Sequence, residues 1–364
     1  MNLRTVNEPD ILKSTKFVDK PFVSIVVTTY NHERYIEQCI HSILKQEASF
    51  DFEILVGEDN SSDRTREHCQ ILAQTYPETI SLILHHRENL IHINGRPTGR
   101  FNFLYNLSHC RGKYIALCEG DDYWTDPYKL KKQVDLLEQR KNCALVFSNG
   151  RVEYDEGPHE SHPVYRAEAL HPSEYRAFQV PEPITGIKDL ARGNYIHTPG
   201  VLFRNWIREE GIPPYLTRTS IGDWPLHMYT ATKGDIAYID EELFVYRVHG
   251  GGVYSKKSAQ DKQEMALGQF EPMIGALPLE EEALTAFLSY VKKQVLNYLY
   301  DHHDESAMDF LNPLFKALDT YHPGFVEKIM AEHEAQLAKR PQESIPAPSL
   351  YQRALRRILG KHWS

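Results

Sequence analysis

The stretch IALCEGDDYW, residues 115–124, is an apolar run that stops on carboxylates. Ile115 to Cys118 read as a buried strand. Glu119, Gly120, Asp121 and Asp122 follow at once, then Tyr123 and Trp124. Adjacent aspartates repel each other, so something must offset that repulsion, and a cation is the obvious candidate. Strand and helix patterns alternate around this stretch. FVSIVVTTY (22–30) is a β-branched run of the kind buried on both faces of a parallel sheet. Ile36, Cys39, Ile40, Ile43 and Leu44 then recur at helical spacing. FEILVGED (52–59), ISLILHH (80–86), KYIALCEG (113–120) and ALVFSN (144–149) read as further strands. SSDRTREHCQILAQTY (61–76), residues 101–110 and DPYKLKKQVDLLEQR (126–140) read as the helices between them, and residues 87–99 as a polar loop. Strands separated by helices predict a mainly parallel sheet in an α/β, Rossmann-type sandwich.

Composition sets the bounds. The 364 residues are 41% hydrophobic, enough for one large domain or two modest ones. Mean hydropathy is −0.50, and no apolar run approaches the ~18 residues of a membrane span. The N-terminal stretch MNLRTVNEPDILKSTK has no apolar leader core, so a cytoplasmic location is expected. Cys39, Cys69, Cys110, Cys118 and Cys143 are scattered and without CxxC spacing, which fits small core residues rather than disulfides or zinc ligands. A net charge of −9 argues against nucleic acid as a partner.

Beyond residue 150 the pattern loosens. Residues 155–185 look like a long surface loop, 193–250 hold short strands and helices, and 258–340 read as helical. KRPQESIPAPS (339–349) is a Pro-rich linker. In the final stretch Tyr351, Leu355, Ile358 and Leu359 share one helical face, with Arg353, Arg356, Arg357 and Lys361 mostly off it. Such a basic amphipathic tail suits peripheral contact with an anionic membrane, or docking on the acidic body of the protein itself.

In open α/β sheets ligands bind at the carboxyl ends of the strands. Three polar clusters meet there: TTYN (28–31), GEDNSSD (57–63) and EGDD (119–122). Neither a GxGxxG turn nor a Walker A loop is present, so phosphate held through Mg²⁺ or Mn²⁺ is expected rather than a phosphate cradle of backbone amides.

The ordered set VSIVVTTYN, EILVGEDNSSDRT and GKYIALCEGDDYWTDPYKLKKQ resembles the family 2 glycosyltransferases of GT-A fold, of bacterial surface-polysaccharide type, over roughly residues 20–250. The resemblance implies an inverting transfer of a sugar from a nucleotide diphosphate sugar, with UDP the commonest nucleotide, to a glycan or lipid-linked acceptor. It implies that Tyr30 stacks on the base with Thr28 beside it, and that Asp59 hydrogen-bonds the base, with Glu58 where relatives carry Asp. It implies that Asp121 meets the ribose and Asp122 the metal, with His249 of YRVHGGGVYS approaching the metal or diphosphate. Asp223 of IGDW is the implied general base, with Asp235 and Asp240 as alternatives. HTPGVLFRN (197–205) resembles the acceptor-side strand. Arg100 is a candidate for the donor phosphate or sugar, or else a surface ion pair. Tyr123 and Trp124 are either sugar-pocket or core residues. The expected divisions are an extension (1–20), a GT-A domain (21–255, with halves 21–150 and 151–255), a helical region (256–338), and the linker and tail (339–364). Two rivals are a sugar-1-phosphate nucleotidyltransferase, which would want a Gly-rich basic loop after the first strand, and a non-catalytic nucleotide-sugar-binding module.

Overall fold

The computed structural model describes residues 5–13, 17–155, 182–252, 257–302 and 305–337, and the backbone of 162–163, 165–166 and 178–179. The linker and basic tail, and most of the 155–185 loop, lie outside the described residues.

One mixed sheet organises the molecule. Its principal strands are β1 (Val23–Thr29), β2 (Phe52–Glu58), β3 (Ile80–Leu84), β4 (Tyr114–Glu119), β5 (Cys143–Tyr154), β6 (Val201–Arg204) and β7 (Asp235–Val248). Their spatial order is β3-β2-β1-β4-β6-β5-β7, with Asp10–Leu12 outside β3 and Ile184–Thr185 outside β7. The β3-β2-β1-β4 block is parallel throughout. There β1 has neighbours on both sides and helices on both faces, and Val23, Ile25, Val26 and Val27 are almost wholly buried. Each such side chain contributes about 1.5–3 kcal/mol on burial, which explains why the β-branched run takes the centre. Short β6 enters antiparallel between β4 and β5. This insertion from a distant part of the chain breaks the parallel order that local periodicity predicts.

The first four helices are α1 (Ile36–Leu44), α2 (Thr65–Thr75), α3 (Arg100–Ser108) and α4 (Lys129–Gln139). Ile36, Cys39, Ile40 and Ile43 form the buried stripe of α1. The loop expected at 87–99 contains a hairpin, Ile91–Ile93 against Arg96–Thr98. Asn94 and Gly95 turn it with φ of 51° and 74°, the left-handed pair that an Asn-Gly turn favours. Further on come α5 (Asp223–Ala231), most of whose side chains are buried, and α6 (Ala259–Leu267), α7 (Glu281–Asp301), α8 (Glu305–Tyr321) and α9 (Phe325–Leu337), which build the expected helical region. One hydrophobic core runs from β1 through these helices. All five cysteines are buried and unpaired. Among the described residues no helix is long and apolar enough to cross a membrane.

Candidate active site

The carboxyl ends of β1, β2 and β4 open onto a cavity of about 590 Å³, within the range of small-molecule sites. Thr28, Tyr30, Asp59, Arg100, Asp121 and Asp223 all line it. The chain leaves β1 and β2 through Asn31 and Asn60, both in the left-handed region at φ 57° and 59°. Asn31 Oδ1 accepts a hydrogen bond from the Ser62 amide at 2.8 Å, and Ser61 Oγ accepts one from the Asn31 amide at 3.0 Å. The two strand ends are thereby tied together.

At the first end of the cavity, Arg87 lies 5.1 Å from the centre of the Tyr30 ring. Glu58 is fully buried and accepts from the Ser61 amide at 2.6 Å while pairing with Arg66. It is therefore a structural acid, and Asp59 is the one that faces the cavity. Burial pushes the Asp59 carboxyl up to about 7; Arg87 and Arg66 oppose the shift and Glu58 adds to it.

In the middle, Asp121 and Asp122 have different surroundings. Asp121 is on the cavity wall. Its Oδ2 stands 3.0 Å from His249 Nε2 and 3.6 Å from His32 Nε2. Burial alone would raise its carboxyl, but His32 and His249 outweigh burial and hold it below the ordinary carboxylate range. Asp122 is only 1% exposed and turns inward, its Oδ1 accepting from the Arg247 amide at 2.8 Å. Burial, then Asp121 and Glu119, keep its carboxyl well above the usual range. Of the two neighbouring acids, Asp121 is the one that faces the cavity. Arg247 clamps this corner: its guanidinium donates to the Asp121 carbonyl at 2.8 Å and to Gln38, and it packs on Tyr35 and Tyr123.

Two groups here meet the donor chemistry of a divalent cation. Ligand atoms of His32, Asp121 and His249 lie within 4.8 Å of one another, as do those of Glu119, Asp121 and Asp122. Oxygen and imidazole donors of this kind fit Mn²⁺ or a similar ion.

At the far end, Asp223 opens α5, where its negative charge suits the helix N-terminus. Pro225 sits in the same first turn, where a missing amide proton costs nothing. Asn194 Oδ1 accepts from the Ile196 amide at 3.1 Å, which turns Asn194 Nδ2 to donate to Asp223 Oδ2 at 2.8 Å. The carboxylate is thus fixed in direction. Arg100 presses against Gly222; a Cβ there would lie 1.8 Å from Arg100 Nη1. Arg100 is not a surface ion pair. It is 7% exposed, and burial pulls its guanidinium down to about 10 while Asp223 acts in the opposite sense. Met265 of α6 and Phe310 of α8 close this end of the cavity.

Other candidates fall elsewhere. Asp235 accepts from Asn142 and Asp240 from the Tyr238 hydroxyl, and neither lines the cavity. Trp124 is core, donating to the Pro199 carbonyl at 3.1 Å. The Tyr123 hydroxyl points to Glu153. Sequence reasoning missed His32, Asn194 and Arg247, all polar residues whose neighbours come from distant segments. Of these, only Arg247 lies inside a motif quoted above, YRVHGGGVYS, and His32 directly follows TTYN.

An α/β sheet with its acids at the parallel strand ends, and a second acid facing them from a later helix, is the GT-A arrangement. The description Glycosyl transferase family 2 matches residues 24–188, and over those residues the chain is similar to that family. An uncharacterised protein of Mycobacterium tuberculosis (strain H37Rv) is 33% identical over 232 residues, covering 64% of this chain and 60% of the relative. The chain thus spans about 60% of the length of that relative. TuaG of Bacillus subtilis, named for a glycosyltransferase of teichuronic acid biosynthesis, is 24% identical over 239 residues, 65% of this chain and 83% of TuaG. Among solved structures, S. aureus TarS 1-349 in complex with UDP-GlcNAc superposes with a TM-score of 0.56 at 15% identity, over 85% of this chain and 83% of that one. That likeness is one of fold.

Proposed function

We propose that this chain is an inverting glycosyltransferase. It moves a sugar from a nucleotide diphosphate sugar, with UDP as the nucleotide, to a hydroxyl of a glycan or lipid-linked acceptor by single displacement. The observation that carries the reading is the placing of Asp223, fixed by Asn194, in the same cavity as Tyr30, Asp59 and Asp121. Tyr30 and Thr28 take the base, with Asp59 accepting its hydrogen bond. Asp121 and His249 would hold the divalent cation, which supplies electrostatic stabilisation of the departing diphosphate when bound. Asp122 instead fixes the loop through the Arg247 amide. Arg100 meets an anionic part of the donor. The described residues place no carboxylate within ion-pairing distance of it, and an unpaired buried cation costs several kcal/mol, a cost that a bound anion offsets. Asp223 takes the acceptor proton as the hydroxyl attacks from the face opposite the leaving group. The TuaG name and the nucleotide sugar in TarS support a role in surface-polysaccharide assembly and a UDP-sugar donor.

A positioned base is worth about 10²–10⁴-fold in rate. Asp223→Asn is expected to lose transfer by that order with little change in nucleotide-sugar affinity, measured by product assay and calorimetry with Mn²⁺ present. Loss of donor binding would place Asp223 in the donor site instead. A nucleotidyltransferase would release pyrophosphate from a nucleoside triphosphate, which the same assay detects; a binding module would release nothing.

We further propose that the enzyme works in the cytoplasm at an anionic membrane face, held weakly by residues 348–364. The support is the run of four basic residues, each contributing about 1 kcal/mol near such a surface. Sedimentation with anionic vesicles should show binding that is lost when those residues are deleted; equal binding removes the idea.

A further inference from the structure

We propose that His32 is a third protein ligand of the cation, making a two-imidazole, one-carboxylate set with Asp121 and His249. This inference rests on the metal-assisted reading above and extends it to a residue on a different strand end. Two ligands each ~2.1 Å from one ion and at right angles are ~3.0 Å apart by simple geometry. The separations from Asp121 Oδ2 are 3.0 Å to His249 and 3.6 Å to His32, close to that edge before any ion draws them in.

The hydrogen bonding of the two rings favours enlisting His32. His249 Nδ1 accepts the Gly251 amide at 3.2 Å. In the neutral ring the proton is therefore on Nε2, where it is donated to Asp121. Ligation through Nε2 displaces that proton and gives up the Gly251 bond. His32 has nothing comparable to lose. Its Nδ1 is buried without a hydrogen-bond partner among the described residues, and its Nε2 stands beyond hydrogen-bond length from Asp121. With the proton on Nδ1, the Nε2 lone pair is free beside the carboxylate. The backbone holds the ring in place, since the His32 amide donates to Thr65 Oγ1 at 2.7 Å. Gly120 leaves the room: a Cβ there would lie 3.0 Å from His32 Nδ1.

The donor set also predicts which ion is taken. Mg²⁺ prefers carboxylate and water oxygens, whereas imidazole nitrogens favour first-row transition ions. The site therefore takes Mn²⁺ in preference to Mg²⁺.

The test uses the full chain, freed of metal by chelation, with UDP and GDP in parallel. Electron paramagnetic resonance of free Mn²⁺ gives its affinity, Mg²⁺ is titrated as competitor, and pulsed measurements on bound Mn²⁺ count coordinated nitrogens. We expect Mn²⁺ to be preferred, with two imidazole nitrogens coupled. His32→Ala should weaken Mn²⁺ by at least about tenfold, the scale at which even outer partners of a metal act. It should leave one nitrogen and change Mg²⁺ competition far less. His32→Gln, which keeps the side-chain volume, guards against a folding defect, and thermal melts are compared for both variants. If His32→Ala and His32→Gln leave affinity and nitrogen count unchanged while Asp121→Asn abolishes binding, His32 is not a ligand and the metal-assisted reading stands. If the unaltered protein binds no divalent ion with either nucleotide, both fall.

Discussion

Two neighbouring aspartates can end a buried strand because the tertiary structure treats them unlike each other. The two histidines beside Asp121 hold its carboxyl below the ordinary range, while burial raises that of Asp122, whose Oδ1 accepts from the Arg247 amide. Asp59 is the acid whose titration falls where it is easily observed. Its carboxyl moves from an ordinary 3.8 to about 7, chiefly through burial. Between those values the folded chain holds a proton that the unfolded chain has released. The contribution to stability is present below about pH 4 and is lost as pH rises through 7. Asp59→Asn removes this dependence, so its stability relative to the unaltered protein should rise between pH 5 and pH 8 in urea denaturation. If the carboxylate accepts from the base, UDP affinity should rise with pH through 7 in the unaltered protein and be flat in the variant. Parallel pH profiles for the two proteins would remove Asp59 from both roles.

At the scale of the element, helix α4 shows how a polar pair joins two parts of the sheet. Gln133 donates to the Gly200 carbonyl at 2.7 Å and accepts from Lys129 Nζ at 2.9 Å. Lys129 is fully buried, with its ammonium 4.1 Å from the centre of the Trp124 ring, and burial pulls it down to about 7. Gln133→Leu strands both the carbonyl and the amine. An unsatisfied buried polar group costs about 1–3 kcal/mol, so the variant should lose at least that in urea denaturation. A loss below about 0.5 kcal/mol would mean that water replaces the amide. The KLKKQ run gave the helix its periodicity, but neither Gly200 nor the antiparallel strand after it is local to that run. The hairpin at 91–98 is the opposite case. Its signal, Asn94-Gly95, was present in the sequence and passed over in favour of a loop.

Across the whole molecule, the helical region supports the start of α5, where Asp223, the proposed base, stands. Trp224, next to Asp223, stacks on Phe287 with ring centres 6.0 Å apart and meets Phe270 edge-on at 5.9 Å. Its indole donates to the Leu190 carbonyl at 2.9 Å. Arg96 of the hairpin pairs with Asp261 at 2.5 Å and approaches Glu264 at 3.8 Å, so α6 also reaches across to the hairpin that follows β3. Exposed pairs of this kind contribute little stability; the aromatic cluster contributes more. Phe287→Ala should cost about 3–5 kcal/mol. It should also lower the transfer rate at saturating donor, because Trp224 loses the surface that fixes the start of α5. Destabilisation without a rate change would confine the helical region to stability.

The sequence by itself determined the parallel strands, their helices and the three polar strand ends, because side-chain periodicity and β-branching act over a few residues. It also marked Thr28, Tyr30, Asp59, Arg100, Asp121 and Asp223, which all reach one cavity. Only the tertiary structure decided the antiparallel entry of β6 and the different surroundings of Asp121 and Asp122. It alone brought His32 to Asp121, 89 residues on, and Arg247 to the same corner, 126 residues after Asp121. Periodicity carries no information about contacts at such separations. The direction of a carboxylate depends on which distant amide, guanidinium or imidazole lies beside it after the chain has folded.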